Sequence, residues 1–595
     1  MRVYKAMFGA ASLVLVACPP VTSAQCTNGV AGVLTGQYDE ARDSVNSNET
    51  CLTPTSSTFY SADGTTPIFV PRAAFPTLLP ASSVESPISA QPLYLPNVSI
   101  GGGTHNVVYV ASLNDVVYAY DADNYGTGSP PTGVLYWSAS LVNDCAETVG
   151  GVNYPGKLVN LPGVIPIVGI LSTPVIDAAN GIIYVVNACD VTGPNNSGMQ
   201  WYLNALNLET GNPVVPPVII AGAVTNSSGT TTFTPDTQLQ RSALLVLKNA
   251  AGVGEVYIAF GAGTVEGSTQ AAYHGWLFGY TINSTGTGLA AQSVFTTTPT
   301  AGTYGAMCNS VILNNYPLGA DSCGEGGGIW MSGRGPAVST TNGTTSIFLA
   351  VSNGGFQTQQ PLNWGESVLK FPAGAATAPS DSFTPSQWYV DENENDEDLG
   401  TSGVLLFNGV VNGTSQPFLV VLDKAGNLFL LSQSSLGGFN NPDHAVQEFL
   451  ATSSTPCPQV NVNDPDGYCD EPHSLVYWNS QLYMWPMKTG LLAYQFSNGI
   501  FATMKVSSRY TGYPGGMLAL SSNGTSNGIL WALSSPSTQA QRMPGTLSAF
   551  DAQTLSLLWT SSADMGFSSF AEPTVINGRV YVPTFNRGLV VFANH

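Results

Sequence analysis

Apolar and polar positions alternate in short runs along most of this chain, and the runs are broken by tight turns. In "NVVYVASLNDVVYAYDAD", two runs rich in Val, Tyr and Ala flank a turn. The unit returns as "STPVIDAANGIIYVVNACD" with "WYLNALNLETG", as "SALLVLKNAAGVGEVYIAFGAG" with "GWLFGYTIN", and as "GPAVSTTNGTTSIFLAVSNGG" with "ESVLKFPAG". Further copies are "SGVLLFNGVVNGTSQPFLVVLDKAGNLFLLSQ", "HSLVYWNSQLYMWPMKTGLLAYQF", "GMLALSSNGTSNGILWALSS" with "GTLSAFDAQTLSLLW", and "EPTVINGRVYVPTFNRGLVVFA", which makes eight. Period-two runs joined by Gly-bearing turns predict antiparallel hairpins, and no helical period is sustained anywhere. One such unit cannot bury both of its faces. Stacking the copies around an axis does so. The expected fold is all-β: an eight-bladed β-propeller of four-stranded antiparallel blades. Its C-terminal strand should share a sheet with an N-terminal strand, because an open edge is a liability. Long Gly/Ser/Thr stretches near 222–240, 296–328 and 372–400 are expected to be loops on one rim.

Composition narrows the setting. Charged residues are 9% of the 595, and 16 Lys+Arg face 37 Asp+Glu for a net charge of −21. Such a surface repels nucleic acid and anionic lipid. A basic start (Met1 to Lys5), the apolar "AMFGAASLVLVAC" and Thr22-Ser23-Ala24 predict a signal peptide over 1–24. A single propeller domain then spans 25–595. The apolar run is too short to span a bilayer, and no transmembrane segment is expected. Secretion to the extracellular space or periplasm is the expected fate. Leu15-Val16-Ala17-Cys18 leaves lipid anchoring through Cys18 as an alternative. The other eight cysteines suit an exported, disulfide-bonded chain. Neighbours in sequence give the expected pairs Cys26–Cys51, Cys145–Cys189, Cys308–Cys323 and Cys457–Cys469. Eight N-x-[ST] sequons, at Asn48, Asn97, Asn195, Asn226, Asn283, Asn342, Asn412 and Asn523, would accept glycans in a eukaryote.

Ala549-x-Asp551-x-x-Thr554-x-x-x-x-Trp559 resembles the blade-docking motif of the PQQ-repeat (quinoprotein alcohol dehydrogenase-like) propellers, A-x-D-x-x-T-G-x-x-x-W. Leu555 stands in the Gly position. Ala205-x-Asn207-x-x-Thr210-Gly211 lacks the Trp, and Ala119-x-Asp121 with Trp137 is a stretched copy. The resemblance implies that these turns and Trp side chains tie one blade to the next. It also implies PQQ held by Ca²⁺ in the channel of an enzyme that oxidises alcohols or sugars. The adjacent cysteines and the haem motif of several such enzymes are absent.

Residues just before each innermost strand should form a collar at the channel mouth. The candidates are Arg241, Arg334, Asp398, Glu471, His473 and Glu572, with Trp330 and the Trp364–Glu366 pair beside them. Two Arg among so few basic residues suit an anionic or quinone ligand through charge-assisted bonds. The opposing reading is that Arg and carboxylates neutralise each other and close the channel. If a ligand binds, Arg241 and Arg334 should converge on one pocket beside Trp330, with Asp398 or Glu572 in reach. Asp391, Asn393 and Asn395 have the alternate spacing of a calcium loop, without its Gly and distal Glu. Two functions fit. One is an extracellular or cell-surface binding module for a glycan, protein or small polar ligand. The other is a PQQ/Ca-dependent oxidoreductase.

Overall fold

The computed structural model describes residues 32–594 apart from 63, 78–85, 130, 142–147, 150–151, 154–167, 191–197, 263–272, 300–311, 314–315, 318–325, 342, 358–362, 388–396, 453–472, 488, 511–514, 536–543 and 563–564. The chain forms eight four-stranded antiparallel blades in a ring. Their innermost strands are Leu93–Ile100, Val175–Asp177, Leu245–Lys248, Ala337–Thr341, Leu405–Val411, Leu475–Trp478, Met517–Asn523 and Thr574–Ile576. The α-helix among the described residues is the single turn Ser56–Phe59.

Burial follows from the stacking. In the first blade, the second strand Gly103–Ser112 is buried from Val107 onward and the third strand Val116–Asp121 is buried at every position. Outer strands meet solvent on one face, so Gln447–Leu450 alternates between half-buried and exposed. Apolar clusters lie between consecutive blades. One joins Val107 and Tyr109 of the first blade to Ile183 of the second and to Tyr581 and Val591 of the last, which closes the ring. The closing sheet takes its outermost strand from the N-terminal part of the chain: Val70–Phe75 runs antiparallel to Leu589–Ala593, with Val70 opposite Ala593 and Phe75 opposite Leu589. The expected closure is therefore the one observed.

The 372–400 stretch is not a single loop. It contains the turn after Val368–Pro372 and the outer strand Asp381–Thr384. The 222–240 stretch folds a hairpin of its own, Ala223–Asn226 with Gly229–Thr232.

The Ala-x-Asp copies share one local device. Asp551 Oδ1 accepts from the backbone N–H groups of Gln553 and Thr554 and from Thr554 Oγ1. Asn207 Oδ1 repeats this with Glu209 and Thr210, and Asp121 Oδ1 caps Asp123 and Asn124. These are Asx turns that stop a strand. Trp137 Nε1 donates to Leu208 O of the next blade at 3.0 Å. Gly211 has φ +71°, and a Cβ there would sit 2.5 Å from the Trp137 ring. Gly211→Ala is expected to cost about 2 kcal/mol or more, from the left-handed backbone and the displaced indole. Thermal melting checks this.

An uncapped propeller leaves the channel-facing backbone groups of each innermost strand without partners. Here residues 33–46 run through the channel and meet all eight blades. Val33 exchanges backbone bonds with Tyr94, Leu34 O accepts from Ile176, and Glu40 O accepts from Val338. Ala41 O, Asp43 O and Ser44 O accept from Leu406, Tyr477 and Leu520. Val45–Asn46 pairs in parallel with Leu520 and Ser521. Thr35 Oγ1 reaches Leu244 O of the third blade, and Asn46 Nδ2 reaches Val575 O of the eighth. The channel is thus filled by the chain's own N-terminal segment.

Candidate functional site at the channel mouth

Each innermost strand starts at one face of the ring, so the residues preceding it gather there. So do the turns between second and third strands, such as 423–426. The two arginines that the sequence placed together separate by depth. Arg334 is 1% exposed and points at the plug. Its Nη1 pairs with Glu572 Oε1 at 3.0 Å and donates to Leu475 O at 3.1 Å and Ser44 Oγ at 3.2 Å. Its Nη2 donates to Arg42 O. Glu572 also accepts from Ser44 Oγ at 2.9 Å and Ser474 Oγ at 2.8 Å. Burial works against both charges, lowering the Arg334 pKa and raising that of Glu572, while their mutual attraction and the two hydroxyls oppose this. Arg334 and Glu572 therefore clamp the plug, while Arg241 lies against Trp330 and Phe570.

Arg241 faces the mouth. Its guanidinium carbon lies 5.9 Å from the Trp330 ring and 5.0 Å from the Phe570 ring. Lys424 Nζ approaches Trp330 to 5.8 Å and is ion-paired with Asp398. Asp398 also accepts from the Asn353 N–H at 3.0 Å. His473 is buried, with its ring 6.5 Å from Trp330 and 5.5 Å from Phe570, and Nδ1 lies 2.6 Å from Ser332 Oγ. Among the described residues, the buried Trp330 Nε1–H has no acceptor. Backbone strain gathers at the same place: Met331, Ser332 and Phe570 have φ of 42°, 47° and 69°. Side chains held in such conformations are over-determined by their surroundings, as functional sites often require.

Glu366 and Trp364 stand next to this cluster. Glu366, at φ 49°, is buried and accepts from the Leu399 N–H at 2.7 Å, which fixes the Asp398 turn. Trp364 is half-buried and its N–H donates to Thr297 O. Glu471 and the calcium-loop candidates Asp391, Asn393 and Asn395 lie outside the described residues. So do all the cysteines of the expected disulfides except Cys51 and Cys189. Sequence reasoning missed Lys424, Phe570 and Ser332. Lys424 had a signal, since it follows a strand in "LDKAGN" and is one of the few basic residues.

Next to Lys424, burial pushes the Asp423 carboxyl from 3.8 up to about 8, against hydrogen bonds from Asn427 that pull it down. The unfolded chain loses this proton near pH 4 and the folded chain keeps it to about pH 8. Stability from this group is therefore lost as pH rises through that window. Asp423→Asn, which mimics the protonated acid, should flatten the melting-versus-pH curve between about pH 4 and 8 by about one proton. A calorimetric series in pH checks it.

A planar anion suits this mouth. Trp330 offers a face, Arg241 offers charge and the Trp330 indole N–H offers a donor unmet among the described residues, while the charge of Lys424 is matched by Asp398. A hard cation does not fit the described residues. No three His, Cys, Asp or Glu side chains among them converge on a metal position, and the mouth carboxylates are committed to Lys424, Arg334 and backbone N–H groups.

No family model matches the chain, and no curated protein sequence matches it. Solved structures do. A quinohaemoprotein alcohol dehydrogenase from Pseudomonas putida superposes with a TM-score of 0.53 at 12% identity, covering 94% of this chain and 79% of that one. A europium-containing methanol dehydrogenase gives 0.53 at 12%, over 93% and 90%. A quinohaemoprotein alcohol dehydrogenase from Comamonas testosteroni gives 0.51 at 12%, over 95% and 80%. At this identity the likeness is one of fold. The chain shares the eight-bladed β-propeller fold with these structures.

Proposed function

We propose that this is an exported quinoprotein-like oxidoreductase of alcohols or sugars whose channel mouth takes a planar, polyanionic quinone of the PQQ type. The observation that carries the reading is Trp330 flanked by two cations with its own N–H unmet. The fold likeness to alcohol and methanol dehydrogenases supports it. Arg241 would hold one carboxylate, Lys424 would take a second in exchange for Asp398, and Trp330 would stack on the ring. A bound quinone would accept two electrons from the substrate. His473, hydrogen-bonded to Ser332, would be the candidate to take up the hydroxyl proton. No helix among the described residues is long and apolar enough to cross a membrane.

A second reading, a ligand-binding module without turnover, is favoured by one observation: the described mouth carboxylates supply no metal set. Reconstitution with PQQ, with and without Ca²⁺, separates the two. Quinone absorbance together with dye reduction by a primary alcohol or an aldose supports the enzyme. Bound quinone with no dye reduction supports the binding module.

A further inference from the structure

Ser332 stands at φ 47° and ψ 37° inside the turn Met331–Gly333. L-residues other than Asn and Asp rarely adopt this left-handed conformation. Its Oγ lies 2.6 Å from His473 Nδ1. The next residue, Gly333, has φ +82°, and a Cβ there would sit 2.7 Å from Phe570 O, so glycine lets the turn close against Phe570. The Phe570 ring meets the imidazole edge-on at 5.5 Å, and the Trp330 ring lies 6.5 Å from it. Two aromatic rings therefore hold the imidazole that faces Ser332. The buried Trp330 Nε1–H, with no acceptor among the described residues, is a donor in the same cluster. Arg241 and Phe570 are half-buried and in contact, so the cluster meets solvent along them. A hydroxyl within hydrogen-bond reach of an imidazole is the arrangement in which a weak nucleophile is activated by a base. Backbone strain at such a residue persists only where the surroundings over-determine it. A hydrogen bond that merely satisfied a buried hydroxyl would need no left-handed serine.

We propose that Ser332 is an activated nucleophile, and that the mouth hydrolyses acyl esters of planar phenols that carry a carboxylate. This activity goes beyond the quinone reading and does not depend on it. With the His473 proton on Nε2, Nδ1 takes the Ser332 proton as Oγ bonds to the carbonyl carbon. The indole N–H meets the oxygen on which charge develops. The bond from carbon to the phenol oxygen then breaks, and the imidazolium returns its proton to that oxygen. Water, deprotonated by the same nitrogen, splits the acyl-serine and frees the acid. Arg241, over the Trp330 and Phe570 rings, selects the substrate carboxylate. The test uses the full chain without added quinone. A fluorophosphonate probe should add one label per chain, and peptide mapping should place it on Ser332. The kcat/KM for 4-acetoxybenzoate should exceed that for its methyl ester, which keeps the ring and lacks the charge, by about tenfold or more. Ser332→Gly, which suits the left-handed backbone, should abolish labelling and hydrolysis without lowering the melting temperature. His473→Gln should slow hydrolysis by about a hundredfold or more. Should either variant melt early, the mapped label on the parent chain decides. No label on Ser332, equal rates on the two esters, or hydrolysis that survives in a well-folded Ser332→Gly protein overturns the proposal.

Discussion

Arg334→Ala is expected to destabilise the protein by about 3–5 kcal/mol, because it strands a buried carboxylate. The sequence left two outcomes open for this residue: lost ligand affinity with intact folding, or lost folding. The geometry decides for the second. Arg334 is 1% exposed, ion-paired with Glu572, and bonded to Leu475 O and to two residues of the plug. Glu572 would keep only the hydroxyls of Ser44 and Ser474. Denaturant unfolding measures the loss. The double variant Arg334→Met with Glu572→Leu should recover much of it, since replacing both partners removes the uncompensated charge. A single variant that melts like the parent would show that the clamp carries no stability.

The second large effect is expected at Arg42, the hub of the plug. It is fully buried, with Nε on Pro336 O at 3.1 Å and Nη1 on Thr35 Oγ1 at 2.8 Å and Gly36 O at 2.6 Å. Burial lowers its pKa to about 10, against the pull of Glu40 and Asp39. Hydrogen bonds to a charged group are worth about 1.5–3 kcal/mol each. Arg42→Ala should therefore cost roughly 3 kcal/mol or more, and it should loosen the segment before the blades melt. Hydrogen exchange reads that order directly: amides of Val338, Leu406, Tyr477 and Leu520, which donate to the plug, should lose protection while mid-blade amides keep theirs. Equal protection throughout would place the stability elsewhere.

The blades were legible because each is written in local code. Alternating Val/Tyr/Leu runs and Asn-Gly turns specify hairpins, and Asp551, Asn207 and Asp121 specify the Asx turns that end strands. The plug was not legible, for a physical reason. "LTGQYDEARDSV" has no apolar alternation, and its hold on the channel comes from backbone groups that every residue carries. It nonetheless carries Arg42 wholly buried. The site was half legible. A collar of Arg241, Asp398 and His473 follows from counting back from each innermost strand, with Trp330 beside it in the glycine-rich stretch before Arg334. The depth at which Arg241 and Arg334 part does not, because both precede a strand in the same way. Lys424 arrives from a turn inside a blade, and Phe570 and Ser332 owe their positions to left-handed backbone.

The central claim is that the mouth holds a planar anion between Arg241, Lys424 and Trp330. Fluorescence titration of the full chain with PQQ tests it most directly, because Trp330 would report on stacking. Saturable quenching at one equivalent is expected. Arg241→Ala, at a half-buried position outside the Arg334–Glu572 clamp, should weaken binding tenfold or more with melting unchanged, as expected for loss of a charge-assisted bond. No saturable quenching, or the same affinity in the Arg241→Ala protein, would contradict it.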